Sequence, residues 1–319
     1  MKKINRLTPI YKDYLWGGNK LQSKYHKNDT DKEIVAESWE LSTHPDGISR
    51  INNELLSEYL KENPQILGTK CKENDSPLLI KYIDAKGKLS IQVHPDDAYA
   101  RMNEHDNGKT ELWYVVEADE NAYIYLGLKQ TITKSEFCKA ISTSTITDCL
   151  NKVSVKKGNV FLVEPGTLHS IGEGCLIAEI QKKSNVTYRA YDFNRKDQNG
   201  NLRPLHIDKA LEVTNLKQSN HDGLPDEIIK QTASTTIERL KKCDYFTVDY
   251  YAIKNKETFN VNEESFKVLM LTTGNAVVST SDETVSLEQG ESIFLSEGDY
   301  EVSVTGICEF LTVSLWIYG

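Results

Sequence analysis

The feature that most constrains this chain is a long succession of short apolar runs, each cut off by turn-forming residues. Runs over 77–82, 88–94, 111–116, 122–126, 153–155, 160–163, 175–181 and 187–191 are each of strand length. Glycine, proline, asparagine and aspartate separate them at intervals that suit a sandwich or barrel of antiparallel strands. The pattern resumes over 246–253, 266–272, 276–280, 283–287, 292–295, 300–304 and 309–317. The runs at 111–116 and 122–126 read as a consecutive strand pair. Sixteen tyrosines against eight phenylalanines also favour strands. Helices are expected to be few and short. One spans 55–62, ended before Pro64, and a second is opened by the capping box Thr133-Lys134-Ser135-Glu136. A third is capped by Asp96 or Asp97 and reaches 103, and a fourth covers 205–215.

At 319 residues the chain can bury a large core as one large domain or two modest ones. Its 38 basic and 47 acidic residues leave a net charge of -9, which argues against a nucleic-acid or anionic-membrane partner. No apolar run is long enough to span a bilayer. The opening residues lack the apolar core of an export signal, so a cytoplasmic protein is expected. Cys71, Cys138, Cys149, Cys175, Cys243 and Cys308 are scattered without a Cys-x-x-Cys pair. They read as reduced thiols, most of them buried fillers, rather than as a disulfide framework or thiolate zinc site.

The polar stretch from Gln218 to Asp226 is the expected linker. A faint internal repeat supports division of the chain. The run from Gly158 to His169 aligns with the run from Gly290 to Glu301, each a glycine turn, an apolar strand, a second glycine and a polar residue three places on. The second copy has Glu301 where the first has His169.

Three places could carry chemistry. In Ser90-Ile91-Gln92-Val93-His94, strand alternation puts Ser90, Gln92 and His94 on one face, either a wet edge or a polar site. By the same alternation Lys109 and Glu111 share a face, where a surface ion pair is the plainer reading. After Pro165-Gly166, a turn delivers His169 to the start of a strand. His94, His169 and Glu111 offer the nitrogen and oxygen donors that suit Zn²⁺ or another divalent metal, and an oxygen of Gln92 would add a fourth. Lys81, on an otherwise apolar strand, would be costly to bury unless it met an anion.

The glycine-strand-Pro-Gly-x-x-His run resembles the second motif of the cupin superfamily, with Glu164 where many cupins have proline. The segments Pro77 to Ala85, Leu89 to Asp96 and Lys109-Thr110-Glu111 resemble type I mannose-6-phosphate isomerases. So do Tyr14 to Gly18, Ala36 to Leu41, Pro165 to Gly172 and Glu179 to Arg189. The resemblance runs through the whole chain in order and fits the compact bacterial form.

It implies a mostly β fold of two tandem cupin-like jelly-roll barrels with a few short helices. Residues 1–235 would form the catalytic metal-binding domain and 236–319 a smaller β domain without metal. It implies a zinc-dependent aldose–ketose isomerase that interconverts mannose 6-phosphate and fructose 6-phosphate. One Zn²⁺ per chain would be held by Gln92, His94, Glu111 and His169. Arg189, Lys109 and Glu179 would be catalytic, and Ser90 and Lys81 would hold the phosphate. The proton-transfer group stays open among Lys109, Glu111, Glu179, a histidine and a metal-bound water. The expected partner is a small sugar phosphate, with no nucleic acid and no membrane, and the chain as a monomer or weak homodimer. The rival readings are another metal-dependent cupin enzyme and a non-catalytic sugar-binding or regulatory cupin.

Overall fold

The computed structural model describes residues 2–196 and 199–316. It is mostly β, with short helices at the margins, as two jelly-roll halves packed back to back. The first half closes two sheets over each other. One sheet runs Val160–Val163, Glu111–Ala118, Cys175–Lys182, Leu78–Ala85, Glu37–Leu41, Ile10–Lys12. The other runs Leu150–Ser154, Tyr123–Leu128, His169–Ile171, Ile91–Val93, Tyr188–Tyr191. The expected pair at 111–116 and 122–126 is therefore not a hairpin. Glu111–Ala118 pairs with Cys175–Lys182 and Val160–Val163, while Tyr123–Leu128 crosses to the facing sheet. Both runs are apolar enough to sit in either sheet, and the crossing gives each a buried face.

The central strands of the first sheet are buried on both faces, which explains their unbroken apolar runs. Along Leu78–Ala85, Ile80 and Tyr82 enter a core shared with the second half, together with Leu112, Tyr114, Val248, Met270 and Leu311. The alternate residue Ile83 enters the barrel core with Trp113, Val115, Ile124, Phe161 and Ile177. Alternation thus sends Lys81, Glu111 and Glu179 into the barrel at the end where the apolar filling stops.

The helices form where their caps and periodicity ask for them. Asp96 accepts from the Tyr99 N–H to cap Asp97–Asn103. Thr133 and Glu136 complete the reciprocal capping box of Lys134–Ser142. The expected helix at 205–215 is Ile207–Val213.

The second half builds a sheet around its own core of Leu269, Ile293, Val302 and Phe310. Two expected breaks are absent. The runs at 266–272 and 276–280 join as Lys267–Ser279, and those at 300–304 and 309–317 join as Tyr300–Leu315, with a register shift inside the first. Residue 317 lies outside the described residues. Strands at Ile4–Thr8, Glu37–Leu41, Glu227–Gln231 and Lys256–Val261 were not legible as runs. Ile4–Thr8 pairs with Ser292–Leu295, so the start of the chain edges the sheet of the second half. The stretch from Gln218 to Asp226 is pinned rather than loose: Ser219 N–H donates to the Leu128 carbonyl, and Val160 N–H to that of Gly223. The repeat holds at its first turn, where Gly158 and Gly290 have φ of 92° and 90°, but not at its second, where Gly166 has 83° and Gly298 149°. The six cysteines are free, but only Cys175 and Cys308 are buried, and Cys138 is exposed. Cys138 lies on a helix with one solvent face, which apolar count alone does not reveal.

Candidate metal centre and active site

Four side chains from three strands of the first half and their flanks meet at one end of the barrel. His94 follows Ile91–Val93 and His169 begins His169–Ile171, and Gln92 and His169 are register partners. Glu111 opens its strand on the facing sheet. Gly166, at a φ of 83°, makes the turn that delivers His169, and a Cβ there would stand 2.9 Å from the Val213 carbonyl oxygen.

The protonation of both imidazoles follows from their partners. His94 Nδ1 is 2.8 Å from the Val186 carbonyl and His169 Nδ1 is 2.8 Å from that of Thr167. A carbonyl only accepts, so each Nδ1 carries the proton and each Nε2 presents a lone pair inward. The two Nε2 atoms lie 3.1 Å apart. Glu111 Oε2 is 3.5 Å from His94 Nε2 and Oε1 is 3.4 Å from His169 Nε2. All three residues are buried, and their ligand atoms fall within 4.8 Å of one another.

Among the described residues Glu111 Oε1 has no hydrogen-bond donor, and Oε2 has only the Lys109 ammonium beside it, 2.8 Å away. Acceptor atoms of three residues thus converge on one buried point with few donors among them, and a cation there would satisfy them together. Burial and the nearby Lys109 push His94 down to about 4, and burial also lowers His169, so both rings stay neutral as metal ligands require. Burial resists ionisation of Glu111, but Lys109 overrides it and holds the carboxyl well below its usual range. Gln92 turns its amide nitrogen to His169 Nε2 at 3.3 Å, and half a turn of the symmetric-shaped amide would offer Oε1 instead. The donor set fits a divalent first-row metal with a position left open.

Beside this cluster runs a row of alternating charges. Lys109 Nζ lies 2.8 Å from Glu111 Oε2 and 3.7 Å from Glu179 Oε1. Lys81 Nζ lies 2.9 Å from Glu179 Oε1 and 3.6 Å from Glu37 Oε2. Trp113 Nε1–H donates to Glu179 Oε2 at 2.9 Å, and Trp39 Nε1–H to Glu37 Oε2 at 2.6 Å. Lys109 and Glu111 are therefore buried, not the surface pair that alternation alone suggests. Burial disfavours the charge on Lys81, but Glu179 and Glu37 outweigh it and raise its affinity for the proton.

A cavity of about 270 Å³ opens over this row. Lys81, Ser90, Gln92, Lys109, Glu179 and Arg189 all line it, so the structure brings the sequence-derived residues to one place. Ser90 Oγ is 3.4 Å from Gln92 Oε1. Arg189 donates to the Pro204 carbonyl through Nη1, while its Nε is buried without a partner.

Sequence reasoning gave no role to Glu37 or Arg203, both in the lining. Arg203 makes a two-pronged pair with Asp192, at 2.7 and 2.6 Å. Glu37 carried a usable signal: on Glu37–Leu41 it shares a face with Trp39, and a carboxylate on a wholly buried strand needs a partner.

Residues 4–137 match the model of the phosphomannose isomerase type I catalytic domain, and 236–315 that of the mannose-6-phosphate isomerase cupin domain. The mannose-6-phosphate isomerase of Streptococcus mutans is 35% identical over 302 residues, covering 90% of this chain and 93% of that protein. Mannose-6-phosphate isomerase ManA of Bacillus subtilis is 31% identical over 315 residues, covering 96% and 97%. The crystal structure of the mannose 6-phosphate isomerase from Bacillus subtilis superposes with a TM-score of 0.89 at 31% identity, over 98% of this chain and 99% of that one. A mannose 6-phosphate isomerase solved with zinc and yttrium bound shares the fold at 16% identity, with a TM-score of 0.77 over 99% and 100%. A complete donor set in the first jelly roll, a charged cavity over it and full-length likeness to these enzymes lead to one conclusion: the chain belongs to the type I mannose-6-phosphate isomerases.

Proposed function

We propose that this isomerase uses one Zn²⁺, held by Gln92, His94, Glu111 and His169, to interconvert mannose 6-phosphate and fructose 6-phosphate. The observation that carries the metal is the pair of inward imidazole lone pairs 3.1 Å apart, facing the buried Glu111 carboxylate, whose Oε1 lacks a donor among the described residues. Zinc is favoured by this nitrogen and oxygen donor set and by the zinc in the fold relative. Bound there, the ion would act as a Lewis acid toward the sugar's oxygens.

The chain's own residues supply the rest. An aldose–ketose exchange moves a proton between neighbouring carbons through an enediol. With Glu111 and the two histidines taken up as ligands, Lys109 and Glu179 are the titratable pair at hand to move it. Arg189 stabilises negative charge that develops on the sugar. Four cations, Lys81, Lys109, Arg189 and Arg203, line the cavity against two carboxylates, Glu37 and Glu179, which suits an anionic substrate.

Ser90 and Lys81 receive the phosphate in this reading. Ser90 is the freer donor, because Lys81 already shares its charge with two carboxylates. Holding the phosphate positions the reacting carbons over Lys109 and Glu179. Among the described residues no helix is long and apolar enough to cross a membrane.

The test is formation of fructose 6-phosphate from mannose 6-phosphate before chelation, after it, and after zinc is restored. Loss and recovery are expected. Full turnover in exhaustively chelated protein would remove the metal from the reaction, and equal turnover of free mannose would remove the phosphate site.

A further inference from the structure

The second half repeats the strand pairing of the first, and the register identifies which residue stands where Glu111 stands. In the first half Glu111 pairs with Val163 on one side and Gln181 on the other. In the second half Lys267 pairs with Leu295 and Ser314. Leu295 is the repeat counterpart of Val163, counted from Gly290 and Gly158. A lysine therefore occupies the position of the metal-binding glutamate. Continuing outward, Thr312, Asp249 and Arg239 stand where Glu179, Lys81 and Trp39 stand in the first half.

Lys267 shares its strand face with Leu269 and Leu271 of the inner core, so it points to the mouth of the second jelly roll. There it lines a cavity of about 180 Å³ with Lys70, Arg239 and Lys242. Two carboxylates also line this cavity, and both are engaged: Asp249 with Arg239 at 2.5 Å, and Glu264 with Lys70 at 2.7 Å. Lys242 sets its ammonium over the Trp316 ring at 3.3 Å. Lys267 makes no ion pair and no side-chain hydrogen bond among the described residues. Burial pushes its ammonium below the ordinary lysine value, with Arg239 and Lys70 adding to the effect against Asp249. A partly buried cation without a partner is costly, and an anion would relieve it. Hydroxyls of Thr247 and Ser314 lie in the same lining.

We propose that the mouth of the second jelly roll is an oxyanion site, built where the first binds its metal, which takes a phosphate group on Lys267, Lys242 and Arg239. The charge inversion from Glu111 to Lys267 turns the same place in the fold from a cation site to an anion site. The site is separate from the catalytic cavity and shares no lining residue with it.

Inorganic phosphate titrated into the metal-loaded full chain should change the emission of Trp316 saturably, and Trp316→Phe should abolish that change. Equal ionic strength of sodium chloride should not reproduce it. Lys267→Met should weaken phosphate roughly tenfold or more, and Lys242→Gln about threefold, with kcat/KM for mannose 6-phosphate unchanged. Glycerol 3-phosphate as a second titrant separates the sources. Tighter binding of the ester assigns a phosphorylated metabolite, and tighter binding of inorganic phosphate assigns the free ion. No saturable Trp316 change, or affinities in both lysine variants equal to the parent's, overturns the site. Lys242 is exposed, so its variant decides the matter if Lys267→Met does not fold.

Discussion

Lys81 and Glu179 stand directly opposite each other on adjacent antiparallel strands, with Nζ 2.9 Å from Oε1 in a buried setting. The same ammonium reaches Glu37 on its other side. Lys81 is thus the keystone of a buried charge row. Removing it would leave Glu37 without an ion-pair partner among the described residues and Glu179 with only the more distant Lys109 ammonium at 3.7 Å.

Lys81→Met should therefore destabilise the fold by about 3–5 kcal/mol, as expected for breaking a buried ion pair on one side. Adding Glu179→Gln should recover part of that loss. Urea denaturation of the parent, the single and the double variant measures both effects. A single variant as stable as the parent would show that the row carries little stability.

Ser90 offers a cleaner probe of the phosphate, since its loss strands no charge. A hydrogen bond to a charged group is worth ~1.5–3 kcal/mol, so Ser90→Ala should lower kcat/KM for mannose 6-phosphate roughly 10- to 150-fold. Bound metal should be unchanged. Equal proportional losses on mannose 6-phosphate and free mannose would assign Ser90 to the metal side of the cavity, through Gln92.

Metal analysis of the purified chain should give close to one equivalent, and His94→Ala with His169→Ala should hold none. The counterpart of His169 in the repeat, Glu301, is exposed on Tyr300–Leu315 and opposite Asn260. Glu301→Gln should leave turnover nearly unchanged. Two tightly bound ions, or a large loss of turnover in folded Glu301→Gln, would bring the second half into the chemistry.

Asp192 gives a pH dependence. Burial opposes its ionisation, but Arg203 and Arg195 outweigh burial and lower its pKa below the ordinary aspartate value. A carboxyl depressed in the folded state stabilises above its unfolded pKa of about 4, and that stability fades as pH falls through the folded value. Denaturation of parent and Asp192→Asn should therefore differ near neutral pH and converge in acid. A stability gap that does not shrink on acidification would assign the loss to packing instead.

Much of the chemistry was legible in the sequence because it follows local rules. Period-two alternation put Gln92 and His94 on one face and Lys109 with Glu111 on another, and the Pro165-Gly166 turn announced His169. The capping box at Thr133 and the capping aspartate at Asp96 marked two helices near their observed starts.

Tertiary structure alone decided what lies opposite what. Alternation gives the face of a strand but not its neighbours, so the sequence could not say that Glu111 comes from one sheet and His94 and His169 from the other. It could not say that Lys109 is buried, because burial depends on the facing sheet. Nor could it show that Lys81 meets Glu179 and Glu37, or that Lys267 takes the place of Glu111, since both follow from pairing between distant strands. The composition of each strand sets what it buries, and only the register of the whole sheet sets which charges are left to answer one another.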